Sequence, residues 1–227
     1  MIGSLIAFEG LDGSGKSTQV RMLLRTLRER HIPHERIAFP RTGVGAYGEA
    51  IAMFLRGEFG SVDEVNPYLL AALFAGDRAA AKSQIEDQLR AGHLVVADRY
   101  SYSNFAFQAA KLHDEKKKEH FLAWARRLEF HTNQLPIPSL TIFFDAPISM
   151  VESNLHSRRT KERRDYLRGL PDIHESSISL QELVAVEYRS FSNADPDFIR
   201  IEVSGRPPVD IHREVLDVLS HRGILKR

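Results

Sequence analysis

The sequence has no cysteine, no long apolar run and almost no net charge. Without cysteine there are no disulfide bonds, thiolate zinc sites or cysteine nucleophiles, and the composition suits a reducing compartment. No apolar run approaches the roughly 18 residues that a membrane-spanning helix needs. The net charge of +1 creates no global field toward nucleic acid or a lipid surface. We therefore expect neither nucleic acid nor a membrane as a partner.

The N-terminal residues also lack the basic stretch of a secretion signal, and Glu9 interrupts their apolar character. We therefore expect a cytoplasmic protein. The chain of 227 residues is long enough for one α/β domain with a well-buried core. No repeat, linker or shift in composition marks a second domain, so we expect one domain over residues 1–227.

Five short apolar runs alternate with longer helical patterns. The runs are Leu5–Phe8, Arg36–Phe39, Leu94–Ala97, Leu140–Phe144 and Phe198–Val203. Runs this short and apolar fit strands that are buried on both faces of a parallel sheet. The helical patterns between them cover residues 16–30, 66–91, 116–133, 174–192 and 208–221. This alternation predicts an α/β fold with three layers, α/β/α, around a five-stranded parallel sheet.

Residues 10–17 read GLDGSGKS, which matches the phosphate-loop pattern G-x-x-x-x-G-K-[ST] directly after the first run. The glycines let the backbone turn tightly, so that successive N–H groups point into one concavity. Lys16 brings a positive charge to the β- and γ-phosphates at a helix N-terminus, and the Ser17 hydroxyl can ligate Mg²⁺. We therefore expect a P-loop NTPase-type fold in which the ATP phosphates contact Gly10, Gly13, Ser14, Gly15, Lys16, Ser17 and Thr18.

The phosphate loop alone does not name a function, because many protein classes use one. The N-K-x-D and D-x-x-G marks of a GTPase do not occur after the loop, and neither does the L-S-G-G-Q signature of ABC-type proteins. The size of the chain and the features of its second half favour a small-molecule kinase.

Asp98 and Arg99 directly follow the third apolar run. A carboxylate at the carboxyl end of a strand beside the phosphate loop can hold Mg²⁺ through water, as a Walker B aspartate does. The guanidinium of Arg99 can bind an anionic acceptor through two hydrogen bonds. The structural alternative is an aspartate that caps the next helix beside a solvated arginine.

Five segments resemble the thymidylate kinase family in order and spacing, most closely its bacterial members. They are EGLDGSGKST at 9–18, FPR at 39–41, LFAGDR at 73–78, DRYSYSNFAFQ at 98–108 and LPIP at 135–138. The resemblance covers about residues 3 to 145 and is weak beyond. It implies a nucleoside monophosphate kinase that transfers the γ-phosphate of ATP to dTMP with Mg²⁺ as cofactor. It also implies a homodimer, and Phe121, Trp124 and Leu128 recur at a helical spacing that suits a core or a dimer interface.

Phe74 and Arg78 are four positions apart on a helical pattern, so they share one face. That face can offer an aromatic ring beside a guanidinium, which only donates and therefore suits O4 of thymine or uracil better than the amino group of cytosine. Asn104 could accept from N3–H nearby. Taken alone, these residues favour a core aromatic and a surface charge, whereas the resemblance favours a substrate site.

The resemblance extends the dTMP site to Phe39, Arg41, Phe74, Arg78, Arg99, Asn104, Phe107 and Gln108. Arg41 would face the acceptor phosphate, and Phe107 would pack against the sugar and disfavour a 2′-hydroxyl by its bulk. Asp12 would lie near the transferring phosphates and order Arg41 or a magnesium-bound water, so the expected metal residues are Ser17, Asp98 and Asp12. His174 stands where some bacterial members have a tyrosine beside the sugar, which leaves that contact open.

A monophosphate acceptor is already anionic and needs no general base, so the main obstacle is repulsion between two phosphate groups. We expect Asp12, Lys16, Arg41 and Arg99 to act in catalysis, together with a mobile arginine from a lid at about residues 157–172. Six basic residues lie within positions 158–168, and the phosphate loop itself has no arginine. In the family, such members supply the arginine from the lid, and Arg158 and Arg163 are our candidates.

Other interpretations remain open at this stage. The chain could phosphorylate another pyrimidine (deoxy)nucleoside monophosphate or a deoxynucleoside, although the E-R-S motif of deoxynucleoside kinases is absent. It could also be a nucleotide switch that transfers no phosphate. The basic segment could be a solvated helix or a weak nucleic-acid patch.

Alanine substitution along the basic segment tests the lid. At the catalytic arginine, the substitution should lower turnover strongly, by up to about 10³-fold, because such residues stabilise charge in the transition state. Substrate affinity should change little. Steady-state kinetics of each single variant provide the measurement, and full turnover in every variant would exclude a catalytic lid.

Overall fold

The computed structural model describes residues 3–159, 165–170 and 172–225, apart from the side chains of Arg158, Arg159 and Ser176. Its strands are β1 (Ser4–Glu9), β2 (His34–Ala38), β3 (Leu94–Asp98), β4 (Leu140–Asp145) and β5 (Phe198–Glu202). They form one parallel sheet in the order β2-β3-β1-β4-β5. The predicted five-stranded parallel sheet is confirmed, and the predicted strand limits differ by one or two residues.

Ten α-helices are found in the described residues. They are α1 (Lys16–Glu29), α2 (Gly45–Leu55), α3 (Pro67–Ala80), α4 (Lys82–Arg90), α5 (Ser101–Ala109), α6 (Glu115–Arg127), α7 (Ile148–Arg159), α8 (Ile173–Ser176), α9 (Ile178–Ala194) and α10 (Pro208–His221). A π-helical turn, Leu128–Thr132, follows α6, and a 3₁₀ turn spans Asp165–Leu167. No helix in this part of the chain has the length and apolar character to cross a membrane.

Two helical predictions need correction. The pattern over 66–91 is two helices, α3 and α4, which meet at Ala81. The pattern over 174–192 is also two helices, because the Ser177 hydroxyl caps the N-terminus of α9 by accepting from the Leu180 N–H at 3.3 Å. The sequence patterns did not predict α2, α5 and α7.

The sheet is buried on both faces, which explains its apolar runs. In β1, Ile6 and Phe8 pack into the larger hydrophobic cluster, whereas Leu5 and Ala7 pack into a smaller one with Ile85 of α4. Side chains alternate between the faces of a strand, so a strand covered on both faces is apolar at every position.

The carboxyl ends of the parallel strands meet at one edge of the sheet. The connections from β1 lead to one side, toward β3 and β2, and the later strands β4 and β5 lie on the other. Ligands of open α/β sheets bind in the crevice at such a reversal of strand order. The loop at residues 10–15 starts in this crevice, and the segments after β2 and β3 end beside it.

Gly48 allows α2 to approach the segment that follows β2. A Cβ atom at this position would lie 2.0 Å from the carbonyl oxygen of Arg41, so the backbone of Arg41 or α2 would have to move.

We expect Gly48→Ala to lower the free energy of unfolding by about 1–3 kcal/mol, although alanine is the better helix former. Urea denaturation measures this change. Glu49→Ala, on the exposed face of the same helix, is the control and should stay within about 0.5 kcal/mol. Equal stability of both variants would show that α2 is not held by this contact.

Candidate active site

A cavity of about 550 Å³ lies at the carboxyl edge of the sheet. It brings together most residues that the sequence predicted for the site: Asp12, Gly13, Gly15, Lys16, Ser17, Thr18, Phe39, Phe74, Arg78, Asp98, Arg99, Asn104, Phe107 and Gln108. Gly10, Ser14 and Arg41 do not line it. Arg163 and the side chain of Arg158 lie outside the described residues. Three residues of the predicted lid segment that the structure does describe border the cavity: Ser157, Tyr166 and Asp172.

The phosphate loop is held between β1 and the N-terminus of α1. Gly15 precedes α1 in the left-handed conformation, with φ +91°, and its carbonyl oxygen accepts from Thr18 N–H at 3.0 Å. Asn154 of α7 donates its amide to the Gly13 carbonyl at 2.8 Å. A Cβ atom at Gly10 would lie 2.7 Å from the carbonyl oxygen of Phe144, which explains why glycine stands there although it does not line the cavity.

Lys16 is buried at the base of the loop. Its Nζ donates to the carbonyl oxygens of Gly10 at 2.9 Å and Leu11 at 2.7 Å. Burial, reinforced by the positive charge of Arg99, lowers the pKa of Lys16 to about 8.

Asp12 and Arg99 form an ion pair beside the loop, with 2.9 Å between Oδ2 and Nη2. Arg99 has φ +67°, donates to Ser103 Oγ at 2.9 Å and lies 5.5 Å from the ring centre of Phe107. Burial would lower the pKa of Arg99, but the electrostatic contributions of Asp12, Tyr188 and Glu9, with the hydrogen bond to Asp12, together outweigh it and raise this pKa. The guanidinium therefore stays charged in the cavity.

Asp77 of α3 holds the side chain of Arg41, and the role predicted for Asp12, to order Arg41 or a magnesium-bound water, stays a prediction. Arg41 donates from Nε to Oδ1 at 2.9 Å and from its backbone N–H to Oδ2 at 2.8 Å. Its Nη2 also donates to the Asp77 carbonyl at 2.6 Å. Pro40 and Thr42 line the cavity, and Arg41 between them does not. Contact between Arg41 and the acceptor phosphate stays a prediction.

The predicted metal residues share one side of the cavity. Ser17, Asp12 and Asp98 all line it, and Asp98 accepts from Arg36 Nη2 at 2.9 Å. The described residues contain no group of three or more acidic or histidine side chains placed to hold a metal ion. A hydroxyl and two carboxylates suit Mg²⁺, which prefers oxygen ligands and keeps several waters.

The opposite end of the cavity contains Phe74, Arg78 and Asn104. Arg78 is buried, so the surface-charge alternative does not hold. It forms two hydrogen bonds with the carboxylate of Glu129, one of them from Nε at 3.0 Å. Phe74 meets the buried ring of Phe54 edge to face at 6.5 Å and remains exposed to the cavity. Glu129 was missed by the sequence analysis, although a charged residue between Leu128 and Phe130 was a possible signal.

Phe107 and His174 form the side of the cavity between these two ends. Their rings stack at 4.8 Å with 25° between the planes. Burial, reinforced by the positive charge of Lys111, lowers the pKa of His174 to about 3, so the imidazole is neutral at physiological pH. Asp172 caps the short helix that carries it by accepting from the His174 N–H at 2.9 Å.

Glu9 is the second residue that sequence analysis missed. Its carboxylate is fully buried at the end of β1 and accepts from the Tyr100 N–H at 2.9 Å and the Ser103 N–H at 3.1 Å. It also accepts from the Tyr188 hydroxyl at 3.0 Å. These bonds anchor the N-terminus of α5, and thereby Arg99, to the strand that leads into the phosphate loop.

Comparisons with known proteins agree with one another. Residues 8–192 match the family model described as thymidylate kinase. The chain is 36% identical to a thymidylate kinase of Mycobacterium tuberculosis over 81% of its own length and 83% of that protein. It is 28% identical to a thymidylate kinase of Schizosaccharomyces pombe, over 98% and 94% of the two chains. The solved structure of thymidylate kinase from Candida albicans superposes with a TM-score of 0.75 at 25% identity, over 98% and 93% of the chains.

The burial of Lys16 predicts a stability cost. Its native pKa of about 8 lies below the ordinary 10.5, so the unfolded chain binds this proton more tightly, and at pH 7 the buried charge costs up to about 3 kcal/mol. The cost is full below about pH 8 and declines as pH rises toward 10.5. We expect Lys16→Met to raise the free energy of unfolding at pH 7 by about 1–3 kcal/mol, with a smaller gain at about pH 9.5.

Urea unfolding at the two pH values measures this difference, with the exposed Lys117→Met as control. A Lys16→Met protein that is less stable than the parent at both pH values would contradict the argument, because the hydrogen bonds to Gly10 and Leu11 would then outweigh the cost of burial.

Proposed function

The chain belongs to the thymidylate kinase family, and we propose that its cavity transfers the γ-phosphate of ATP to dTMP, giving dTDP and ADP. One observation carries this proposal. A single cavity joins the phosphate loop at one end to the buried pair of Arg78 and Asn104 at the other. The first end suits a nucleoside triphosphate and the second the edge of a pyrimidine base.

The two ends would bind the substrates as follows. The ATP phosphates lie against the backbone N–H groups of the phosphate loop, with Lys16 and the hydroxyls of Ser17 and Thr18. The thymine ring stacks on Phe74. Its O4 accepts from Arg78, and its N3–H donates to Asn104 Oδ1, a buried atom with no hydrogen-bond partner among the described residues.

The acceptor phosphate would then lie near Arg99, between the base site and the phosphate loop. Asp12 and Ser103 fix this guanidinium in advance, so no reorganisation is needed when the anion binds. Phe107 occupies the sugar side and leaves little room for a 2′-hydroxyl. We propose Arg41 and a lid arginine, Arg158 or Arg163, as the further cations that offset repulsion between the two phosphate groups.

Mg²⁺ fits the oxygen donors on the phosphate-loop side of the cavity. We propose that Ser17 ligates it directly and that Asp98 and Asp12 hold its waters. Bound there, the ion would neutralise charge on the β- and γ-phosphates. Arg36 and Arg99 balance the two carboxylates in its absence, so the site does not depend on the metal for its shape.

We further propose that the whole chain is one kinase domain, that it forms a homodimer and that it works in the cytoplasm, where both substrates are present. The α3 and α6 surface supports the homodimer. Leu69 of α3 is 70% exposed, and its neighbour Tyr68 packs at 4.8 Å against Trp124 of α6, which is itself only partly buried. An exposed apolar patch of this kind marks an interaction surface.

An acceptor panel tests the function. Purified protein with Mg²⁺ and ATP is mixed separately with thymidine, dTMP, dUMP, dCMP and UMP, and ADP release is measured. We expect release to depend on the acceptor and to be fastest with dTMP, with UMP well below dUMP because of Phe107. Stimulation by thymidine alone would indicate a deoxynucleoside kinase. Slow hydrolysis that no acceptor stimulates would indicate a nucleotide switch, and either result would overturn the proposal.

A further inference from the structure

Glu129 connects the two side chains that face the base. It lies on the π-helical turn after α6, is fully buried and does not line the cavity itself. Its Oε1 accepts from both Arg78 Nη2 and Asn104 Nδ2, the latter at 3.1 Å. Its Oε2 accepts from Arg78 Nε at 3.0 Å. One carboxylate therefore holds both groups, and π-helical turns occur frequently at functional sites.

These contacts determine which atom of the Asn104 amide faces the cavity. The amide has two N–H donors, and they are directed at the Ala71 carbonyl at 3.0 Å and at Glu129. Neither partner can donate, so a turned amide would place its oxygen against two acceptors. The side-chain oxygen is consequently directed away from Glu129, buried and without a partner in the described part of the chain. Asn104 can only accept from a bound base.

The same carboxylate also fixes the position from which Arg78 can donate hydrogen bonds. A guanidinium has five N–H donors and no acceptor. Glu129 takes one donor from Nε and one from Nη2, which fixes the plane of the group and leaves its other donors for a ligand. Arg78 and Asn104 thus present a donor and an acceptor side by side.

We propose that Glu129 is a positioning residue that sets the hydrogen-bond polarity of the base site. Oriented by Glu129, Arg78 and Asn104 can hydrogen-bond to a base with a carbonyl oxygen beside a ring N–H, as in thymine and uracil. They are mismatched with a base that has an amino group beside an unprotonated ring nitrogen, as in cytosine. This inference rests on the proposed function and identifies the residue that selects among its acceptors. It also predicts that this edge does not distinguish dTMP from dUMP, because both bases have the same O4 and N3–H.

The competing explanation is that Glu129 is only the counter-ion of a buried arginine. Removing a buried counter-ion destabilises a protein, but that loss would affect every acceptor in the same way. Substrate preference therefore separates the two explanations. Glu187 of α9 offers a matched control, because it is also a buried glutamate in an ion pair, at 2.7 Å from Lys118.

The experiment compares Glu129→Gln with the parent protein and with Glu187→Gln. The value of kcat/KM is measured for dTMP, dUMP, dCMP and 3-methyl-dTMP, which has no N3–H. We expect the parent to prefer dTMP over both dCMP and 3-methyl-dTMP by about 100-fold or more, from two mismatched hydrogen bonds in the first case and one blocked donor in the second.

In Glu129→Gln one acceptor oxygen becomes an amide nitrogen. That nitrogen cannot accept from Arg78, and its N–H groups can donate to a turned Asn104 amide oxygen, so the orientation of the two side chains is no longer enforced. We expect kcat/KM for dTMP to fall about 10- to 100-fold, mainly through KM, and the preference over dCMP to shrink at least about 10-fold. Glu187→Gln should keep the parent's preference. Combining Glu129→Gln with Asn104→Ala should add little further loss of preference, because the first residue acts through the second.

An equal loss for all four acceptors in Glu129→Gln would overturn the inference. So would a parent protein that uses dCMP or 3-methyl-dTMP as well as dUMP, a result that needs no variant to fold. Calorimetric binding of the same nucleotides separates this inference from the proposed function. A parent that binds dTMP far better than dCMP but phosphorylates neither would overturn the function and still support the base site.

Discussion

The site depends on carboxylates that are buried beside cations and N–H groups at the carboxyl edge of the sheet. Glu9 is central, because it ends β1 just before the phosphate loop and also caps the helix that carries Ser103, Asn104 and Phe107. A buried carboxylate that accepts several N–H and O–H bonds has its acceptor oxygens satisfied without solvent. Glu9 thereby joins the strand before the phosphate loop to the acceptor side, beside the direct pairing of β1 with β3.

The same principle recurs at the arginines around the cavity. Asp12 holds Arg99, Asp77 holds Arg41, and Glu129 holds Arg78, the last two through more than one bond. Each pair fixes a guanidinium before substrate arrives, so binding costs little side-chain ordering. Lys16 differs, since its hydrogen-bond partners among the described residues are two carbonyl oxygens and its pKa is lowered to about 8. The cation assigned to the transferring phosphates thus lacks, in the described part of the chain, the paired carboxylate that each of the three arginines has.

The sequence predicted the parts of this arrangement that depend on local pattern. Strand runs and the phosphate loop follow from short segments, whereas the residues of the acceptor site came from the resemblance to the family. Fourteen of the predicted residues line one cavity. The partners of those residues were not predicted, because Glu9 lies 91 positions from Tyr100 and Glu129 lies 51 from Arg78. Only folding brings these residues together, and the sequence around a single acidic residue does not indicate which residue it will contact. Helix α5 was missed for a related reason, since its residues are almost all buried and show no amphipathic period.

His174 shows how the surroundings of a side chain determine its chemistry. With its ordinary pKa of 6.5, the imidazole would add charge near Lys111 and Arg99 as pH falls. Stacking on Phe107 and edge contact with Phe54 at 5.1 Å bury the ring, and the nearby cations oppose a further charge. Its pKa of about 3 therefore keeps the ring neutral, so a histidine can occupy an aromatic position without making the sugar side of the cavity sensitive to physiological pH. Its Nε2 has no hydrogen-bond partner in the described residues, which leaves one uncharged polar atom beside the sugar site.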